Sequence, residues 1–528
     1  MTDFTGVTAV TELMDLAAER LGGAVLFAND EFFAEKENLL KAAKAVFVEG
    51  KYTDRGKWMD GWETRRRRVP GHDFCIVRLG LTGVVRGVVV DTAFFRGNFP
   101  AACSIDGCAM PGRPTGEELA SESTPWVEIL PKTMLRGDSV NLFAIDAGLR
   151  LTHLRLHIYP DGGVARLRVH GDVLPAPRWA GRPGAEVDLA AAEHGALVLA
   201  CNDMFFGSRH NLIMPGRSSN MGDGWETKRS RAEGPDWAIV RLAAEGTIER
   251  IEVDTNHFKG NFPDSCMIHG IRADAEATVP ELLADESKWA LVLPRTKLQA
   301  HTRHFFEEEL SAPASPDGDL PAERGPYSHV RLSIFPDGGV SRLRVHGAVT
   351  AAGREALGLR HLNFAPVPEL ASMLTNCCGS SAWVDKMVQS RPYRDLASLK
   401  ARSQEIWGAL GRQDYLEAFR HHPRIGGAKA EAHTSEAAAK WSKGEQALVT
   451  DAGRTPSQTR QDLARVNRAY EEKFGHIYIV CATGKTAAEM LAIANERMKN
   501  DADTELSRAA EEQRQITEIR LDKLVRGG

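Results

Sequence analysis

Two segments of this chain set acids beside a run of cations. Residues 60–68 read DGWETRRRR and residues 223–231 read DGWETKRSR, displaced by 163 residues from Asp60 to Asp223. Arginine donates two parallel hydrogen bonds from a planar fork, which suits carboxylates, so Arg65, Arg66, Lys228 and Arg229 suggest recognition of a small acidic metabolite. The same displacement carries VDTAFFRGNFP at residues 90–100 onto VDTNHFKGNFP at residues 253–263. RLHIYPDGGVARLRVHG at residues 155–171 and RLSIFPDGGVSRLRVHG at residues 331–347 differ at three positions. A core tolerates many apolar residues of suitable volume, so packing alone does not explain matched Trp, Glu, Asn and Arg. The alternative for DGWET is a structural turn whose Trp packs and whose Glu pairs with Arg. His301 and His304 form H-x-x-H beside residues 307–309, all Glu. That cluster could bind a divalent metal, but it has no twin in the first copy and no fixed third ligand, so no cofactor is expected. Gly97 and Gly260 read as backbone requirements.

The repeat period is far longer than the roughly 20–50 residues of a solenoid unit, so each copy is a domain. The 528 residues leave a C-terminal third without a twin. Alternation in residues 164–170 sets Arg166, Arg168 and His170 on one face and Ala165, Leu167 and Val169 on the other. Residues 74–79, 84–91, 237–242 and 248–254 also read as strands, and PDGG turns separate the last two strands of each copy. Many short strands punctuated by Gly and Pro predict two tandem antiparallel β-sandwich, jelly-roll-like repeats, over residues 1–173 and 185–348. Residues 174–184 and 349–358 read as domain boundaries, the first between the copies and the second closing the later one, and residues 313–326 as a surface insertion found only in the second copy.

Beyond about Leu362 the pattern turns helical, and an all-α bundle is expected over residues 362–528. Leu463, Val466, Tyr470 and Phe474 share one helical face. Helices are expected over residues 395–410, 434–449, 486–499 and 503–525, with residues 476–482 (HIYIVCA) as the one strand-like run. TGKT at residues 483–486 is not a phosphate loop, because the glycine such a loop needs at position 479 is Ile. It reads as a strand-to-helix turn with Thr483 near the cap.

A net charge of -5 with interspersed basic residues argues against nucleic-acid and polybasic membrane partners. No segment reaches the roughly 18 apolar residues of a membrane helix, and the opening MTDFTGVTAV lacks a basic leader, so a cytoplasmic protein is expected. Eight cysteines without a C-x-x-C pair read as reduced thiols.

DGWET[RK]R followed by VDTxxF[RK]GNFP, duplicated and opened by LFANDEFF at Leu26 and LACNDMFF at Leu199, resembles the allantoicases over nearly all of residues 20–347. That resemblance implies two β-sandwiches that hydrolyse allantoate to ureidoglycolate and urea. The substrate is a carboxylate bearing two ureido groups. The cations above would meet its carboxylate, Asn98 and Asn261 its ureido edges, and Glu63, Glu226, Asp91 and Asp254 are candidates for moving the proton that urea departure requires. His257 faces Phe94 in the alignment of copies, and Asn256 faces Ala93, so one copy, or the cleft between them, is expected to do the work.

Residues 363–528 resemble OHCU decarboxylase, which converts 2-oxo-4-hydroxy-4-carboxy-5-ureidoimidazoline to (S)-allantoin. The likeness rests on HPRIG at His422, SKGEQ at residues 442–446, FGHIYIVCATG from Phe474, and the run from Asn495 to Arg520. It implies His422 as general acid, Glu445 as its partner, Arg520 as anion binder, and Pro423, Ser442 and Gln446 as substrate contacts. Backbone groups of Ile477, Tyr478, Ile479, Val480 and Cys481 would hold the ring's amide edge. No cofactor is needed, because the electrons left by CO2 can delocalise into an enolate. Together the resemblances imply a bifunctional ureide-degrading enzyme, homo-oligomeric, acting on small molecules. The rivals are a tandem ligand-binding module, or another ureide hydrolase, joined to the decarboxylase.

Overall fold

The computed structural model describes residues 10–229, 234–310, 324–422 and 456–527. The chain divides into two compact units, Met1–Arg354 and Glu355–Gly528.

The first unit holds two antiparallel β-sandwiches. In the first repeat the 19-residue strand Asp73–Asp91 runs through both faces. Its first half pairs with Ala24–Ala28 and Arg150–Tyr159, and its second half with Val140–Ala144 and Arg166–Val173. The two strands expected here are therefore one, continuous through Gly80 and Gly83. In the second repeat the equivalent strand is broken into Asp236–Gly246 and Arg250–Asp254, which separates a five-stranded sheet from a four-stranded one. Period-two alternation sends Leu167 and Val169, and likewise Leu343 and Val345, into the core, each at most 1% exposed. The opposite face is not simply solvated. Arg166 and Arg342 are both 3% exposed and bury their guanidinium groups.

The second unit is helical, with Val367–Cys377, Ser381–Gln389, Leu396–Gly408, Arg412–Arg420, Pro456–Phe474, Ala487–Arg497 and Ala502–Arg526. Asp395 caps its helix by accepting from Ser398 N, and Thr486 forms a capping box with Glu489. The cap is thus Thr486, not Thr483. Leu463, Tyr470 and Phe474 pack with Tyr478, Val480 and Met490 as their spacing requires. The boundary expected at residues 349–358 falls there, since the units divide after Arg354, and the helix Ala351–Phe364 starts within it, its Ala, Arg, Glu and Leu outweighing two Gly. One expectation fails. Residues 476–482 form no strand; side chains rather than a second strand take their backbone groups. The expected helix at residues 434–449 and most of the 313–326 insertion lie outside the described residues. All eight cysteines are free, and seven are buried. No described helix is long and apolar enough to cross a membrane.

Candidate active sites

The three duplicated motifs meet at one place in each sandwich. Trp62–Glu63 pairs with Gly163–Val164, and Trp225–Glu226 with Gly339–Val340, so DGWET lies against PDGGV. Arg166 donates to the Asp60 backbone oxygen at 3.0 Å and to Asp60 Oδ2 at 2.7 Å. Arg342 treats Asp223 in the same way, at 2.6 and 3.0 Å. Phe95 and Phe258, from the VDT motif, lie where a Cβ on Gly163 or Gly339 would intrude to 1.9 or 2.0 Å, which explains the second glycine of PDGG. Gly162 and Gly338 sit at φ of +136° and +133°, which explains the first. Gly97 and Gly260, by contrast, have neither a left-handed φ nor any atom within 4 Å of an added Cβ, so no backbone requirement holds there.

The same framework aims the polar side chains. Gly163 N donates to Asn98 O at 2.8 Å, and Gly339 N to Asn261 O at 2.9 Å. With their backbones so fixed, Asn98 Nδ2 donates to Glu63 Oε1 at 2.6 Å and Asn261 Nδ2 to Glu226 Oε1 at 2.5 Å. The tryptophans are fully buried and donate to Asp30 O and Asp203 O, each at 2.8 Å. Asp30 accepts from Arg65 N and from Arg65 Nε at 2.9 and 2.6 Å, and Asp203 takes Lys228 N at 2.8 Å with Lys228 Nζ 3.4 Å away. The turn alternative for DGWET is therefore half right. The Trp packs, but the Glu pairs with an asparagine, and the arginine with an aspartate from the opening motif.

The two copies differ at their mouths. In the first, a hairpin of Tyr52–Thr53 and Gly56–Lys57 packs beside Phe33 of the opening motif. Arg55 from that hairpin donates to Phe32 O at 3.0 Å, and Arg55 and Arg65 sit 5.4 and 5.3 Å from the Phe32 ring centre. Phe47 stacks on Phe94 at 5.9 Å. Glu63 is 9% exposed, and burial raises its carboxyl pKa, with the Asn98 hydrogen bond working the other way. The second copy lacks the hairpin. Phe205 and Phe206 stand 70% and 62% exposed, and Glu226 keeps contact with solvent.

At the position of Phe94, His257 Nε2 lies 3.0 Å from Ser218 O, and its backbone N donates to His301 Nδ1 at 2.8 Å. Phe94 N makes the matching bond to Asp138 Oδ1 at 2.7 Å. His304 Nε2 accepts from Gln299 N at 2.8 Å and its Nδ1 lies 3.0 Å from Val253 O, so the H-x-x-H pair serves its own loop. Among the described residues no group of three or more His, Cys, Asp or Glu is placed to hold a metal. Asp91 and Asp254 each accept a backbone N–H two residues on, at 2.8 Å. Asp254 is 1% exposed, with Arg217 Nε 3.6 Å away. Arg66 and Arg229 are exposed beside their sites.

In the helical unit His422 follows the Arg412–Arg420 helix, its N bonded to Phe419 O at 3.1 Å. Burial first and the Arg520 charge second hold its pKa well below the ordinary imidazole range, while Gln513 works the other way. Arg520 is 3% exposed and donates to Asn376 O at 3.3 Å. Gln513 and Arg520 share the Ala502–Arg526 helix. Of the segment 477–481, Cys481 N donates to Glu512 Oε2 at 2.7 Å and Ile479 O accepts from Arg497 at 2.8 Å. Pro423, Ser442, Glu445 and Gln446 lie outside the described residues.

The allantoicase repeat model matches residues 14–174 and 187–350. The chain belongs to the allantoicase family. It is 48% identical to a probable allantoicase of Burkholderia mallei over 337 residues, 64% of this chain and 94% of that one. A probable allantoicase of Pseudomonas paraeruginosa is 49% identical, over 63% and 95%. The crystal structure of the Saccharomyces cerevisiae allantoicase aligns with a TM-score of 0.52 at 33% identity, over 65% of this chain and 96% of that one. Residues 363–522 match the OHCU decarboxylase model, so allantoicase and OHCU decarboxylase domains, both enzymes, lie in one chain.

Within the allantoicase repeats the structure joins Glu63 to Asn98 and Glu226 to Asn261, and in the decarboxylase it brings the Arg520 charge to act on His422. It does not set Arg65 or Lys228 free. Each is tied to an aspartate that sequence reasoning passed over, although ND-x-FF in both opening motifs carried the signal. Arg217, Ser218, Gln513 and Glu512 were also missed. Residues 217 and 218 lie in a loop with no alignable twin, and no short motif marks 512 or 513.

Proposed function

We propose that the second sandwich repeat carries the hydrolytic site, releasing urea from allantoate and leaving ureidoglycolate. The observation that carries this reading is the Asn261–Glu226 hydrogen bond at an open mouth, against its buried twin in the first repeat. The substrate carboxylate meets Lys228 and Arg229, and the Asn261 amide takes a ureido edge. Glu226 gives a proton to the departing urea nitrogen as its bond to the central carbon breaks, and recovers one from the water that adds to that carbon. His257 fixes the neighbouring loop through Ser218 and stands ready for proton transfer. Asp254 shapes the turn instead of touching substrate, because Asn256 N and Arg217 engage its carboxylate. Glu63, Arg65, Arg66, Asp91 and Asn98 form the first-repeat counterpart, which holds the scaffold.

The decarboxylase reaction proceeds at His422. Arg520 receives the anionic substrate. The bond from the ring carbon to its carboxylate breaks, CO2 leaves, and the electron pair passes into the adjacent carbonyl as an enolate. His422 then protonates that carbon from one face, giving (S)-allantoin. Burial and the Arg520 charge hold its imidazole neutral. An arriving anion offsets Arg520 and raises its proton affinity, so protonation accompanies binding, with Glu445 as partner. Ser442, Gln446, Pro423 and the 477–481 backbone hold the ring.

Both activities proceed without a cofactor, in the cytoplasm, in a homo-oligomer with repeats at residues 1–173 and 185–348 and the decarboxylase at residues 362–528. The test is urea release from allantoate by the purified chain, with Glu226→Gln and His422→Ala assayed for both reactions. Each substitution is expected to abolish one activity and spare the other. Saturable allantoate binding without turnover would sink the reading in favour of a binding module.

A further inference from the structure

The strand that carries Glu226 is held from both flanks by side chains of the other repeat. On one flank Arg20 Nη1 donates to Asn211 Oδ1 at 2.8 Å and approaches Asp223 Oδ1 at 3.5 Å. Asn211 is 4% exposed and its amide donates to Gly224 O at 2.9 Å, immediately before Trp225 and Glu226. Asp223 also accepts from Ser219 N at 3.1 Å, which fixes the loop whose Ser218 meets His257. On the other flank Glu12 pairs with the buried Arg209, whose Nε donates to Val198 O at 3.1 Å. Two and three residues earlier in the chain, Gly207 N and Phe206 N donate to Glu226 O at 3.2 and 3.1 Å.

Among the described residues the first repeat shows no matching ion pair from the second. Lys36, at the position of Arg209, pairs with Glu31 and Glu37 of its own repeat at 3.2 and 2.9 Å. Asp60, at the position of Asp223, has Lys41 of its own repeat 3.9 Å away. Residue 193, opposite Arg20 in the alignment of copies, is Glu. Among the described residues the buttress therefore runs from the first repeat to the second.

We propose that Glu12 and Arg20 are positioning residues for the second-repeat site, so that the first repeat contributes to hydrolysis by setting the Glu226 strand and the 217–223 loop. The inference rests on placing the hydrolytic site in the second repeat. Displacing a reacting group by about an ångström costs up to about a hundredfold in rate. The full-length Arg20→Ala and Glu12→Ala variants are therefore expected to lose between about ten- and a hundredfold in kcat for urea release, with KM changed less than about threefold. Arg20→Lys should recover most of its loss, the unfolding temperature of the sandwich should hold, and decarboxylation should be unaffected. Unchanged kcat in both alanine variants would overturn the proposal. So would equal loss in Arg20→Lys and Arg20→Ala with a lowered unfolding temperature, which would make the contact a structural tie only. Glu226→Gln, run alongside, separates the two ideas. If it leaves urea release intact, the second-repeat placement fails and takes this inference with it; if it abolishes release while the alanine variants stay at full rate, only the buttress fails.

Discussion

Substituting the twin glutamates one at a time should split the repeats. Glutamine preserves the size of Glu63 and leaves an oxygen to accept from Asn98 Nδ2 at about the present 2.6 Å. Its only loss is charge, and that charge is unfavourable where it stands, since burial raises the Glu63 pKa above 4.5. A carboxyl whose folded pKa lies above its unfolded value holds its proton more tightly when folded. Its penalty on folding is therefore absent below the unfolded pKa and grows as pH rises through the folded one. Glu63→Gln is expected to leave urea release within about threefold of wild type, and to be at least as stable at neutral pH, the advantage vanishing toward pH 4. Glu226→Gln removes a proton carrier at the open mouth, and general acid–base groups contribute about a hundred- to ten-thousandfold. The assay is initial urea release from allantoate beside denaturant unfolding at pH 4 and pH 7. If Glu63→Gln is the more damaging to turnover, the burial argument is wrong.

Three further outcomes follow from the same geometry. Arg342→Met strips donors from Asp223 Oδ2 and from the backbone oxygens of residues 211, 216 and 223, and should cost about 3–5 kcal/mol in denaturant unfolding of the sandwich, as removal of one partner from a buried ion pair does. Trp225→Ala, which hollows a fully buried site, should cost about the same, 3–5 kcal/mol, with urea release lost and decarboxylation kept. The depressed pKa of His422 means that the unfolded chain binds the extra proton, so the helical unit should lose stability as pH falls below its ordinary value of 6.5. His422→Asn should flatten that dependence in unfolding curves at pH 5 and pH 7; an unaltered slope would show that the imidazole is not held neutral.

Much of the fold was legible because its signals are periodic or local. Alternation in residues 164–170 and 340–346 has one correct register, since a slip by one would turn Leu167 or Leu343 out of the core. Asp395 and Thr486 stop helices with side-chain oxygens that need no distant partner. What escaped depended on partners far along the chain. Arg166 reads as a solvated residue on a polar face, and only the fold brings Asp60, 106 residues away, against it. The break between Gly246 and Arg250 in the second repeat, where the first runs straight through, follows from no difference in alternation. In the decarboxylase the order of motifs pointed to His422 and Arg520, whereas Glu512 and Gln513 carry no motif and gain meaning only from what the Ala502–Arg526 helix faces.

The duplication also explains how polar identity would survive in the first repeat if, as proposed, the second carries the chemistry. In both repeats Asp60 or Asp223 neutralises a buried arginine, the threonine of DGWET bonds the PDGG turn at 3.1 Å, and the asparagine of GNFP closes on that turn through its backbone. These groups are desolvated together, and removing any one leaves another buried without a partner, which costs about 1–3 kcal/mol for each neutral group. Scaffold alone therefore preserves most of the motif. The copies diverge outside that shared set: Ala93 against Asn256, whose buried amide donates to Ser218, Phe94 against His257, Ala165 against Ser341, an inserted hairpin against an open loop. Divergence outside the shared framework is what separate tasks would leave behind. Grafting His257 and Asn256 back onto positions 94 and 93 should therefore not confer urea release on the first repeat while Glu63 stays buried and the Tyr52–Lys57 hairpin remains. Measured in a Glu226→Gln background, activity restored by those two substitutions alone would refute the idea that the burial of Glu63, as well as the missing side chains, silences that copy.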